Sequence, residues 1–62
     1  MTLGVVKMIH TGHRHLADGS LVRLDIEGGQ YVGRLYRADL SVGRVVVGTQ
    51  EHVAQQMRVW SH

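Results

Sequence analysis

Three histidines crowd one short stretch of the chain, His10, His13 and His15, with Asp18 close behind. Imidazole nitrogens are common metal ligands, and three are enough to hold a zinc ion. His13 and His15, two residues apart, share a face wherever the backbone is extended. The stretch reads first as a solvated polar loop and His10, His13 and His15 only as secondary metal candidates, because no cysteine and no helical ligand motif accompanies them. His52 and His62 have no spacing that brings them to this group. Ser20, Ser41 and Ser61 lack the strand-turn-helix context that activates a serine, and the five carboxylates are scattered. No phosphate loop or dinucleotide fingerprint occurs. The expectation is a non-enzyme without a cofactor.

Arginine is the second chemical theme. Six of the seven basic residues are arginine, whose planar fork pairs with phosphate in a way that lysine does not match. Arg34, Tyr36 and Arg37 cluster, Arg23 and Arg44 fall on neighbouring segments, and Tyr31 lies near a glycine turn. Tyrosines among arginines suit a surface that stacks on bases and neutralises phosphates. Two readings compete. Either these residues form a nucleic-acid surface, or the arginines pair across strands with Asp25, Glu27 and Asp39. The formal net charge is only +2, well short of a strongly basic face.

The elements that must position these residues are short. Proline is absent and eight glycines punctuate the chain, so glycines and polar clusters mark the turns. Leu3 to Ile9 reads as a first strand, followed by a loop over His10 to His15. Val22, Leu24 and Ile26 alternate with Arg23, Asp25 and Glu27, the clearest strand pattern in the sequence. Gly28-Gly29 supplies a tight hairpin turn, and Gln30 to Asp39 continues as a strand with a bend or bulge at Gly33. Ser41-Val42-Gly43 is the next turn. Arg44-Val45-Val46-Val47 then suggests a strand buried on both faces or lying against a subunit. Thr49 caps a helix of two turns at most, with Glu51 at its start, Arg58 near its end, and Val53 and Met57 on one face. Arg58-Val59-Trp60 completes the pattern as a last strand, with Trp60 as a large apolar contributor to the core.

Sixty-two residues make one domain, residues 1–62, and a chain of this length buries only about 60% of the surface that its unfolded form exposes. Stability at this size often comes from a disulfide, a metal or a partner subunit. Without cysteine, oligomerisation or metal binding becomes the expectation. No apolar run approaches the roughly 18 residues of a membrane span, and the first residues lack the pattern of a signal peptide. The expectation is a cytoplasmic protein with no membrane partner.

The segment Val22 to Val47 resembles the first motif of Sm and Sm-like proteins, with Gly28, Gly33, Leu35, Asp39 and Val42 on matching positions. The resemblance implies an all-β fold, a small five-stranded SH3-like or Sm-like barrel with one short helical turn before the last strand. It also implies that Asp39 accepts hydrogen bonds within its own turn. The positions where that family grips RNA hold Ser41 and Gly43, so its base pocket does not carry over. The second Sm motif is missing. The expected function is a small homo-oligomeric module that binds RNA or DNA through Arg23, Arg34, Tyr36, Arg37 and Arg44. The alternative is an assembly or protein-interaction module with no nucleic-acid role.

Overall fold

The alternation along Val22 to Glu27 makes one side of that segment apolar and the other charged. The computed structural model describes residues 8–61. Four antiparallel strands follow one another as a meander: β1 (Met8–His15), β2 (Leu21–Glu27), β3 (Gln30–Tyr36) and β4 (Val42–Gly48). Helix α1 (Gln50–Trp60) follows. Gly28 and Gly29, at φ 58° and 80°, form the two-residue turn that sets Glu27 opposite Gln30. Two consecutive positive φ values give the twist that an antiparallel hairpin needs.

The register aligns Gly12, Leu24, Gly33 and Val46 across the sheet, and this face receives α1. Thr49 starts the helix by accepting the His52 N–H at 3.2 Å, with Glu51 in the first turn and Arg58 in the last. Val53 is fully buried beneath the helix, and Val22 is nearly so. A Cβ at Gly33 would lie 2.9 Å from Val53 Cγ1 and 3.0 Å from Met57 Sδ. Glycine is required there because the helix crosses directly over the strand. The register runs through Gly33 without a shift, so the expected bulge at this residue does not exist.

The expected five-stranded barrel is instead an open four-stranded sheet with one helix. Arg58-Val59-Trp60 forms the last turn of α1 and not a strand. From Gln50 onward the chain has no glycine or proline, and Ala54 to Arg58 are strong helix formers. Val53, Met57 and Trp60 also fall at i, i+4 and i+7, one continuous stripe. With that segment helical, no strand among the described residues bridges β4 to β1. The expected first strand lies mostly on residues 1–7, outside the described residues, and the expected histidine loop belongs to β1. An edge strand exposed on both sides has no hydrophobic alternation to announce it.

β3 ends at Tyr36, and the next turn spans Arg37 to Ser41 and not Ser41 to Gly43. This turn repeats the one between β1 and β2. Leu16 N donates to Ser20 O at 2.8 Å and Gly19 N to Leu16 O at 3.1 Å; Arg37 N donates to Ser41 O at 2.7 Å and Leu40 N to Arg37 O at 2.8 Å. In each turn an aspartate accepts from the serine two residues on. Asp18 Oδ1 takes the Ser20 N–H at 2.9 Å and its hydroxyl, while Asp39 Oδ1 takes the Ser41 N–H at 2.9 Å and its hydroxyl at 2.6 Å. Gly19 (φ 89°) and Leu40 (φ 71°) occupy the same left-handed position. Leu40 is 73% exposed there, so its side chain gains little in return for the unfavourable backbone.

Gly33→Ala pushes a methyl into the Val53 contact and is expected to destabilise the fold by roughly 1–3 kcal/mol, read from urea unfolding of both proteins. The serine donors hold the carboxyls of Asp18 and Asp39 below the usual aspartate range. A depressed folded pKa gives stability that is present above the unfolded value, about 3.9, and lost as pH falls through the folded one. The melting temperature should therefore fall below about pH 4, and the Asp18→Asn/Asp39→Asn double variant should lose part of that decline.

Candidate interaction surface

The sheet face away from α1 carries the odd-numbered residues of β2, and its centre is Asp25, which is fully buried. A buried carboxylate needs partners, and two arginines supply them. Arg23 Nε lies 3.0 Å from Asp25 Oδ1, and Arg34 Nη1 lies 3.0 Å from Oδ2. The same Arg34 nitrogen lies 2.7 Å from Glu27 Oε2, which sits off the N–H direction and so makes a charge contact without an aligned hydrogen bond. Glu27 is the main cause holding the Arg34 guanidinium above its ordinary pKa, Tyr36 and Asp25 adding to it and burial opposing. Val32, opposite Asp25 on β3, is nearly buried.

A bulge rephases each edge strand. In β1 the register skips Thr11, whose hydroxyl donates to Leu24 O at 2.9 Å. His10, His13 and His15 then stand opposite Asp25, Arg23 and Leu21, all on the open face. The His10 and His13 rings stack at 5.1 Å with Nε2 and Nδ1 3.3 Å apart, and His15 meets His13 edge-on at 5.8 Å. Among the described residues no set of three ligating side chains converges on a common point. In β4 the register skips Gly43, so Val42 joins Val45 and Val47 on the open face. Each of these valines is about half exposed, which departs from a strand buried on both faces.

The five residues expected to contact nucleic acid do not form one surface. Arg23, Arg34 and Tyr36 lie on the open face, with Arg23 and Arg34 engaged by Asp25 and Glu27. Arg37 folds back across Gly43, its Nη1 3.3 Å from Ser41 Oγ and 3.2 Å from Val42 O. Arg44 stands on the opposite face, across from Leu35. It makes no ion pair or side-chain hydrogen bond among the described residues. Arg14 and Arg58 are equally without partners there, and both line a groove beside α1. The sequence carried a signal for Arg58 in its place one residue after Met57 on the helix stripe. Arg14 had none, because its facing depends on the Thr11 bulge.

No family model, curated protein or solved structure matches the chain.

Removing the shared carboxylate leaves two guanidiniums facing each other. Asp25→Ala should cost roughly 2–4 kcal/mol, a buried-pair penalty reduced because both arginines reach solvent. Chemical denaturation of the two proteins at neutral pH checks it.

Proposed function

We propose that this chain is an assembly module that pairs β4 with β4 of a second copy. The observation that carries the reading is the outer edge of β4. It pairs with no strand among the described residues, and the half-exposed Val42, Val45 and Val47 line its open face. An unpaired apolar edge is a template for another strand unless lysine, proline or an inward charge blunts it. β4 has no lysine or proline, and its one charge, Arg44, though on the helix side, is exposed and not turned into the core. Both edge strands carry a bulge, at mid-strand in β1 and next to the first residue of β4, but the open face of β1 carries polar histidines where that of β4 carries valines.

An antiparallel pairing centred on Val45 is two-fold symmetric, so each copy offers the same residues to the other. It brings Val45 against its own counterpart and sets Val47 and its equivalent on the diagonals. The Val45 pair and its Val47 diagonals contribute roughly 0.2–1 kcal/mol each as cross-strand contacts. A four-stranded sheet would become one of eight strands, meeting the need of so small a domain for added buried surface.

A second reading, nucleic-acid binding through phosphates, gains from one observation: Arg44 is exposed and without a partner among the described residues. In the paired sheet Arg44 faces Val46 of the other copy, and the two Arg44 side chains become diagonal neighbours about 7–8 Å apart. Basic character would then belong to the assembly.

Sedimentation velocity of the full chain should show a dimer, and Val45→Lys should weaken self-association at least roughly tenfold while the circular dichroism spectrum is retained. A monomer at all concentrations sinks the assembly reading. In gel shifts at low salt, Arg44→Ala should weaken any nucleic-acid complex across sequences alike, with steep loss on adding salt.

A further inference from the structure

We infer that the groove between α1 and the β1–β2 half of the sheet is a binding site for an anionic amphiphile, a small molecule with an apolar body and one anionic head. The helix rests on β3 and β4 and stops short of β1, so a groove runs between it and the β1–β2 half of the sheet. The resulting groove measures about 570 Å³, within the range of small-molecule sites. Val22 and Leu24 form its floor, and Ala54 and Met57 form its helical wall. Gly12, opposite Leu24, keeps it open: a Cβ there would meet no atom within 4 Å.

The rim supplies the charge. Arg14 from β1 and Arg58 from α1 both line the groove, while no aspartate or glutamate does. Neither arginine has an ion-pair or side-chain hydrogen-bond partner among the described residues, in contrast to Arg23 and Arg34 across the sheet. The helix end also directs carbonyls toward this rim, but Ser61 takes two of them, its N–H reaching Met57 O at 3.1 Å and Arg58 O at 3.2 Å. An apolar trough edged by two guanidiniums and, among the described residues, no carboxylate selects an apolar ligand bearing negative charge over a neutral or cationic one. The site lies on the β1 side of the sheet, away from the β4 edge, so it stands independently of the assembly reading.

Decanoate and decanol share an apolar chain and differ in charge, which makes them suitable probes. Titration of the labelled full chain with decanoate, followed by NMR, should give saturable shifts centred on Val22, Leu24, Ala54 and Met57. Decanol should bind roughly tenfold more weakly. Arg14→Gln and Arg58→Gln should each weaken decanoate roughly threefold, and the double variant roughly tenfold. These arginines are on the surface, so the variants keep the fold, and Ala54→Trp fills the groove as a second route to the same loss. Equal affinity for the two probes, unaltered affinity in the double arginine variant, or shifts located elsewhere would overturn the inference. So would groove shifts that change with protein concentration alone, which would assign the surface to a second copy.

Discussion

The closeness of α1 to β3 at Gly33 governs the arrangement of this domain. With no side chain at that residue, Val53 and Met57 settle against the strand backbone, and Val53 becomes fully buried. A helix that seats so near one strand cannot also cover the far side of the sheet. It lies over β3 and β4, and the β1–β2 side is left as an apolar groove. The site for an amphiphile and the small core therefore have one cause.

The opposite face is organised by charge. Asp25 is withdrawn from solvent and holds Arg23 and Arg34, with Glu27 sharing the second. Buried ion pairs of this kind add little net stability, but they fix which groups must sit together and penalise any other register. The cluster also uses up part of the arginine content. An arginine-rich composition does not become a basic surface when the guanidiniums are bound to carboxylates of the same chain.

Two bulges, one in each edge strand, give the sheet unlike borders. Skipping Thr11 puts three histidines on the open face of β1, and skipping Gly43 puts three valines on the open face of β4. The spacing is the same in both, i, i+3 and i+5, because one extra residue advances the alternation by one step. At the end of the sheet between these borders, the two aspartate-serine turns lie side by side, with Ala38 against Gly19. One border is polar and the other apolar.

Several local rules were legible, although the sequence pattern displaces the turn at Arg37 to Ser41 onto Ser41 to Gly43. The β2 alternation, the Gly28-Gly29 hairpin, the Thr49 cap, the Val53–Met57 stripe and the turn-binding role of Asp39 all depend on contacts a few residues apart, and the sequence carries them openly. Strand character at His10 to His15 was hidden, because only pairing with β2 satisfies that backbone. So was the reason for Gly33, which lies in a helix seventeen or more residues downstream, and so was the capture of Arg23 and Arg34 by Asp25. The choice between a closing strand and a third helical turn at Arg58 to Trp60 also turned on tertiary structure. Intrinsic preference favours the helix as far as Arg58 and allows either at Val59 and Trp60, and the apolar stripe of Val53, Met57 and Trp60 carries the helix to its end. By itself the sequence determined a small β-rich domain with its Gly28-Gly29 hairpin, its one cap and its central charged strand. The tertiary structure decided that the sheet stays open, which arginines remain free and where the groove lies, because each of these is set by contacts between residues distant in the chain.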